Sequence, residues 1–209
     1  MENKYKLSSK SRFSDISKFF NDEKNPIFVE FGIGSGLTIK ELNERYPDSY
    51  IYGFDKAINS RILDKKNKIS IHKENLNSFN FKKYPFIKKT DYFLLLDVLE
   101  HLENPIIFIN HLSELMKNKS TVIVSCPNFS SLRMFFAWVR GRLPKHKYGF
   151  FDETHMHWFV PLDYITLFKK KNFSEVKFNY LYSKNFLKKR FQMFWPSRFC
   201  SQFILSATK

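Results

Sequence analysis

Three closely spaced glycines make the segment IFVEFGIGSGL, residues 27–37, the first candidate ligand-binding site of the chain. Gly32, Gly34 and Gly36 can adopt positive φ, and they let the backbone approach a ligand where a Cβ would collide. The apolar run before them predicts a strand and the residues after them predict a helix, whose N-terminus offers free N–H groups. The segment therefore indicates a site for a nucleotide-like cofactor.

The spacing of these glycines and a later aspartate narrow the kind of cofactor. The dinucleotide fingerprint has a glycine three positions after its second one, where this chain has Leu37, so a pyrophosphate cradle is disfavoured. Asp55 ends the next predicted strand, where a carboxylate can accept hydrogen bonds from both ribose hydroxyls. The alternative is a plain strand-turn-helix connection with a surface aspartate. The three glycines, Glu30 before them and Asp55 together disfavour that alternative.

Short apolar runs alternate with helical patterns along the whole chain, which is typical of an α/β fold with a parallel sheet. The strands predicted from these runs cover residues 27–30, 50–54, 69–72, 92–96, 121–125, 176–182 and 203–207. Helices are predicted over residues 38–45 and 105–117, from residue 161 onward, and around residues 13–21. The fold predicted from this order is a seven-stranded α/β sheet.

Length and composition favour a single domain over residues 1–209, because 209 residues with 43% hydrophobic content can build one sizeable core. With 26% charged residues and few glycines and prolines, the chain is neither disordered nor fibrous. We expect no membrane span and no signal peptide, since apolar runs of the required length are absent. Cys126 and Cys200 lack metal-ligand spacing, which favours a reducing compartment. We therefore expect a cytoplasmic protein.

The formal charge of +15 is concentrated in the second half of the chain. Residues 1–114 contain 18 Lys and Arg against 16 Asp and Glu, whereas residues 115–209 contain 17 against 4. Such asymmetry indicates an acidic partner, whether nucleic acid, anionic lipid or a phosphate-bearing substrate. A base-composition bias toward Lys, Asn, Ile and Phe is the equally weighted alternative.

The glycine segment resembles the first motif of the class I S-adenosylmethionine-dependent methyltransferases, an acidic residue followed by Gly-x-Gly-x-Gly. The resemblance implies that Glu30 and the three glycines hold the amino-acid end of S-adenosylmethionine. It also implies that Asp55 binds the ribose, and that Asn75 stands where the family has an aspartate against the adenine amino group. The segment LLLDVLEHLENP resembles the family's D-x-x-E-H-x-x-x-P pattern and makes Asp97 a further cofactor residue.

Two later segments extend the resemblance over nearly the whole chain. GFFDETHMHWF, residues 149–159, resembles a G-x-x-D-x-T-H-x-x-x-F pattern of bacterial methyltransferases associated with cell-surface polysaccharide and small-molecule pathways. The terminal QFILSATK resembles the last, antiparallel strand of the family's Rossmann-like sheet. The resemblance therefore implies a mostly parallel seven-stranded sheet with an antiparallel last strand and helices on both faces.

Two histidines are the candidate catalytic residues. An oxygen acceptor must lose a proton during methyl transfer, and a neutral histidine can take it. By the resemblance, His155 lies in the motif that approaches the methyl group. His101 is a candidate base or, with equal weight, a histidine that orders the loop after the fourth strand.

A metal-dependent site is the less favoured alternative. Asp97, Glu100, His101 and His155 offer carboxylate and imidazole donors for a divalent ion. Similar arrangements bind metal in ubiquinone-pathway and small-RNA methyltransferases, but here the first carboxylate belongs to an aspartate, which is one methylene shorter than glutamate. We expect no metal in the site.

Two basic aromatic segments suggest contacts beyond the cofactor. Residues 129–150 are interpreted as a lid insertion over the substrate, with an ordinary docked helix as the alternative. Residues 183–198, SKNFLKKRFQMFWPSR, mix basic and aromatic side chains without an acid. They predict weak, salt-sensitive contact with an anionic membrane surface, although packing of the same aromatics in the core is favoured over it.

The favoured function is methylation of an oxygen atom on a small molecule or glycan, including lipid-linked or cell-surface polysaccharide precursors. An RNA 2′-O-methyltransferase is the first alternative, since the basic half could bind phosphates, but no RNA-binding module is recognised. A non-catalytic subunit that retains the cofactor is the second. Because fold-level resemblance fixes the cofactor better than the acceptor, the acceptor is left open.

Overall fold

A computed structural model describes residues 12–57, 68–147, 149–171, 173–182 and 196–209. Its centre is a seven-stranded sheet in the order β3-β2-β1-β4-β5-β7-β6. Each strand overlaps one of the segments predicted from apolar runs, and the ends differ by a few residues at most. The strands are β1 (Phe28–Phe31), β2 (Ile51–Asp55), β3 (Ile69–Lys73), β4 (Tyr92–Leu96), β5 (Thr121–Pro127), β6 (Glu175–Tyr182) and β7 (Cys200–Thr208).

Strand direction confirms the predicted Rossmann-like arrangement. The pairs β1–β2, β1–β4, β2–β3 and β4–β5 are parallel, whereas β7 runs antiparallel to both of its neighbours, β5 and β6. The chain order reverses between β1 and β4, so the carboxyl ends of these two strands border the crevice where open α/β sheets bind ligands.

The main helices also agree with the sequence patterns, with shorter ends in two places. The helix predicted over residues 105–117 ends at Leu115, and the one predicted around residues 13–21 is one α-helical turn followed by a 3₁₀ turn, Ser17–Phe19. The helices are α1 (Phe13–Ile16), α2 (Leu37–Arg45), α3 (Pro105–Leu115), α4 (Leu132–Val139) and α5 (Pro161–Lys169), with a short helix at Pro196–Phe199.

Two apolar cores lie on opposite faces of the sheet. One contains side chains of α3 and α5, such as Phe108 and Phe168, and the other contains side chains of α1 and α2, such as Ile16 and Leu42. Strand β1 serves both cores, because Val29 and Phe31 point to the first and Phe28 to the second. Burial on both faces fixes the register of β1, which carries Glu30 and the glycine loop.

None of the helices in the described ranges is long and apolar enough to cross a bilayer. Cys126 and Cys200 are both buried and unbonded to each other.

Candidate active site

The glycine loop connects β1 to α2 in a conformation that requires glycine. Gly32, Gly34 and Gly36 all have positive φ, at 74°, 53° and 75°. A Cβ on Gly32 would lie 2.6 Å from Val98 Cγ2, so packing against Val98 also excludes a side chain at this position. A Cβ on Gly34 would meet nothing within 4 Å, so the space beside this residue is open to a ligand.

Asp55, at the end of β2, holds this loop in place. Its Oδ2 accepts a hydrogen bond from Gly34 N at 2.9 Å, and its Oδ1 accepts one from Ala57 N at 3.0 Å. A carboxylate has about four acceptor positions, and donors among the described residues use two of those on Asp55. The predicted ribose-binding residue therefore also positions the loop that approaches the cofactor.

Glu30 is a buried carboxyl group with an unsatisfied oxygen. The residue is 2% exposed, and its Oε2 has no hydrogen-bond partner among the described residues. Burial raises the pKa of Glu30 to about 8, although a hydrogen bond with Thr38 acts in the opposite direction. A buried acceptor without a partner beside an open glycine loop suits a positively charged group such as a ligand ammonium.

These residues line a cavity of about 630 Å³ at the carboxyl ends of the strands. Of the predicted cofactor residues, Gly36 is the exception: it is the N-cap of α2 and does not line the cavity. Asn75 lines it, and its side-chain oxygen also accepts from Asn77 N at 3.1 Å. The predicted cofactor residues that line the cavity are Glu30, Gly32, Gly34, Asp55, Asn75 and Asp97.

Asp97 follows β4 and ties three distant segments together. Its Oδ1 accepts from Ser125 Oγ at 2.9 Å and from Gln202 Nε2 at 2.5 Å, and its Oδ2 pairs with Arg12 Nη2 at 2.8 Å. Sequence reasoning did not identify Arg12 as a site residue. It precedes the helix predicted around residues 13–21, and no motif surrounds it.

A second, smaller cavity of about 280 Å³ adjoins the first. Arg12, Asp97, His101 and Asp152 line both cavities, so the two spaces meet at these side chains. The smaller cavity is also lined by the second candidate catalytic histidine, His155, by Glu100 of the alternative metal set, and by Arg133. Two adjoining cavities of unequal size suit a cofactor and an acceptor that must touch each other.

The two candidate histidines lie side by side, with ring centroids 4.7 Å apart. Thr154 Oγ1 donates to Asp152 Oδ1 at 2.6 Å and lies 3.0 Å from His101 Nδ1. Because the Thr154 hydroxyl proton is already used, His101 Nδ1 must be the donor, which leaves Nε2 free to accept a proton. His155 Nδ1 is buried without a partner. Burial and the neighbouring His101 lower the pKa of His155, which favours a neutral imidazole.

Glu100 completes a compact cluster with these histidines. It is fully buried, and within the described part of the chain neither side-chain oxygen has a hydrogen-bond partner. Burial, with Asp97 nearby, raises the pKa of Glu100 well above its ordinary value. Atoms of Glu100, His101 and His155 that could bind a metal lie within 4.8 Å of one another. Asp97, the fourth residue of the alternative metal set, is outside this group and pairs with Arg12 instead.

Residues 5–177 match the family model described as a methyltransferase domain. The chain belongs to this methyltransferase family. It is 29% identical over 136 residues to a mitochondrial ubiquinone biosynthesis O-methyltransferase of Dictyostelium discoideum. That alignment covers 54% of this chain and 42% of the relative, so the chain spans less than half of that protein's length.

Solved structures of methyltransferases share the fold at low sequence identity. A SAM-dependent methyltransferase from Archaeoglobus fulgidus aligns with a TM-score of 0.67 at 16% identity, covering 98% of this chain and 94% of the other. The plantazolicin methyltransferase BamL, solved with a substrate analogue and SAH, aligns with a TM-score of 0.67 at 17% identity, covering 98% and 88%.

The family match confirms the prediction of a methyltransferase domain. Solved structures that share the fold include a SAM-dependent methyltransferase and a methyltransferase in complex with SAM, and S-adenosylmethionine is the cofactor predicted for this chain. The described residues fit that cofactor in three ways. Space beside Gly34 is open, Asp55 has acceptor positions that no described residue uses, and Glu30 Oε2 has no partner among the described residues. The contacts of individual site residues with the cofactor stay predictions.

Glu30→Gln tests the buried carboxyl through stability. With a pKa of about 8 in the fold against an ordinary 4.5, Glu30 remains protonated when the unfolded chain ionises. The stability it contributes is therefore fully present below about pH 4.5 and is lost as pH rises toward about 8. The unfolding free energy of the wild type, relative to Glu30→Gln, should fall by about 1.4 kcal/mol per pH unit at most within this window.

Urea denaturation at a series of pH values measures this difference. Glu44→Gln, on an exposed side chain of α2, is the control and should show no comparable trend. A wild-type minus Glu30→Gln difference that does not vary with pH would show that Glu30 is already ionised in the fold.

Proposed function

We propose that this methyltransferase transfers the methyl group of S-adenosylmethionine to a hydroxyl oxygen of a small molecule or glycan. The proposal rests on the two adjoining cavities. His101 lies where they meet, and His155 lines the smaller cavity. The relative from Dictyostelium discoideum, named as an O-methyltransferase, supports an oxygen acceptor. The glycan acceptor rests on the resemblance of residues 149–159 to polysaccharide-associated enzymes.

The protein's part in the reaction is to position two molecules and to remove one proton. When bound, S-adenosylmethionine supplies an activated methyl group on a sulfonium. Asp55 would hold the ribose in the larger cavity, while the glycine loop and Glu30 would hold the amino-acid end. In the smaller cavity, the neutral imidazole of His155 accepts the proton that the acceptor hydroxyl loses as its oxygen takes the methyl group.

The segment of residues 129–150 is proposed as a substrate lid. Arg133, in α4, places its guanidinium 5.2 Å from the ring centroid of Phe150 and 5.6 Å from that of Phe151. These contacts join the two ends of the segment above the smaller cavity, which Arg133 and Phe150 line. Residues 183–198 form the basic aromatic tail that is predicted to touch a membrane. Positions 183–195 of this tail lie outside the described residues.

Asp55→Asn tests the cofactor site. The substitution removes the charge from an acceptor that the ribose needs, and hydrogen bonds to charged groups contribute about 1.5–3 kcal/mol. We expect S-adenosylmethionine to bind about tenfold to a hundredfold more weakly, as measured by isothermal titration calorimetry. Asp22→Asn, at an exposed position, is the matched control. Equal affinity in wild type and Asp55→Asn, or no binding by the wild type, would contradict the assignment.

His155→Gln tests proton removal. Loss of a general base lowers the rate about a hundredfold or more, whereas S-adenosylmethionine affinity should not change. The assay measures radiolabelled methyl transfer to a catechol carboxylate, a hexose and an RNA oligonucleotide. His111→Gln, on an exposed face of α3, is the histidine control. Transfer to the oligonucleotide alone would favour the RNA alternative, and transfer to none of the three would favour a non-catalytic subunit.

A metal-assisted reaction is the second candidate, because Glu100, His101 and His155 bring one carboxylate and two imidazoles together. Mixed oxygen and nitrogen donors suit Mn²⁺ or Zn²⁺. In that case chelator-treated protein should bind one of these ions in calorimetry, and Glu100→Gln should weaken binding about tenfold or more. Glu114→Gln, exposed on α3, is the control. Absence of ion binding by the wild type would leave the histidines as bases alone.

A further inference from the structure

Helix α4 directs its large apolar side chains toward solvent. Trp138 is 70% exposed, Val139 58%, and Phe135 and Phe136 are each 51% exposed. At about 3.6 residues per turn these four side chains share one side of the helix. Ala137, on the opposite side, is buried. The apolar side that a surface helix normally packs on the core is thus the side that α4 exposes.

This exposure is concentrated in one place. Five of the eleven exposed large apolar side chains among the described residues lie between Phe135 and Leu143. The Phe135 ring lies 5.7 Å from Phe136 and 6.5 Å from Trp138, centroid to centroid, so the exposed rings contact one another. Contiguous exposed apolar surface of this kind marks an interaction site.

Positive charge surrounds the apolar side chains. Four exposed basic residues follow within eight positions of the helix end, and residues 115–151 contain no acidic residue. The partner surface must therefore combine an apolar layer with negative charge. We call the exposed side of α4 together with these residues the α4 face: Phe135, Phe136, Trp138, Val139, Arg140, Arg142, Leu143, Lys145 and Lys147.

The α4 face is fixed to the domain beside the smaller cavity. Helix α4 begins after Ser131, which is 3% exposed and follows β5 by only a few residues. Arg133, near its start, lines the smaller cavity and stacks on Phe150. The start of α4 therefore holds the α4 face at the edge of the smaller cavity.

We propose that the α4 face docks in the plane of an anionic phospholipid bilayer. Aromatic side chains on a short amphipathic helix insert at the boundary between headgroups and acyl chains, and Lys and Arg beside them attract anionic headgroups. A second copy of the α4 face fits less well, because it carries the same basic residues and residues 115–151 contain no acid to oppose them. The proposal goes beyond the methyl-transfer proposal and does not depend on the acceptor.

Co-sedimentation of the full chain with lipid vesicles tests this proposal. We expect binding to vesicles of phosphatidylcholine with phosphatidylglycerol and little binding to phosphatidylcholine alone. The double variant Phe135→Ser/Trp138→Ser should bind at least about tenfold more weakly, because two buried aromatic side chains are lost from the lipid. Ile106→Ser/Ile107→Ser, which removes two side chains of similar exposure from α3 (55% and 52%), should bind as the wild type does.

A second pair of variants tests the charge. Each basic residue near an anionic surface contributes roughly a fivefold gain in partitioning, so Arg140→Gln/Arg142→Gln should weaken binding about tenfold or more at low salt. Lys169→Gln/Lys170→Gln, which removes two exposed charges at the end of α5, should change it by less than about twofold.

Three results would overturn the proposal. If the Phe135→Ser/Trp138→Ser variant still binds vesicles, the membrane-binding surface lies in another part of the chain. Absence of vesicle binding by the wild type at low salt would exclude an anionic membrane as the partner of the α4 face. Self-association in sedimentation velocity that is abolished by the same variant, without vesicle binding, would assign the α4 face to a second copy. Calorimetry with S-adenosylmethionine on that variant should match the wild type, which keeps this test separate from the methyl-transfer proposal.

Discussion

The carboxylate of Asp97 is the point at which the two halves of the site are joined. It accepts hydrogen bonds from Ser125 in β5 and Gln202 in β7, and it pairs with Arg12 ahead of α1. Its backbone has φ of 55°, a conformation that aspartate tolerates better than most residues. Because Asp97 and Arg12 line both cavities, these contacts help to set the position of the larger cavity relative to the smaller one.

The two cavities share a second property, which is a buried carboxyl group without full hydrogen bonding. Glu30 lies at the larger cavity and Glu100 at the smaller one, and burial raises the pKa of both. A buried polar group without a partner costs free energy, so an apolar replacement would serve the fold better. Carboxyl groups retained in such positions are better explained by what they bind than by what they stabilise.

The parts of this structure that sequence could predict are those set by local pattern. Apolar runs located the strands, and the glycine spacing located a loop whose positive φ angles only glycine accepts readily. Arg12 escaped prediction because its partner is 85 positions away, a contact that only the sheet order creates. The outward direction of the apolar side of α4 also escaped, because periodicity shows that a helix has two sides but not which one meets the core.

The position of β7 between β5 and β6 affects how the protein can fold. Among the described strands, β6 pairs with β7 alone, and β7 follows β6 in the chain. Until β7 is synthesised, β5 and β6 therefore lack the strand that joins them, and Asp97 lacks Gln202. The pairing of β5 with β7 brings together Pro127 and Gln202, which are far apart in sequence. Closing so long a loop costs conformational entropy, so this pairing forms late in folding. Pairing of β7 with its two neighbours therefore completes the sheet and the hydrogen bonding of Asp97 in the same step of folding.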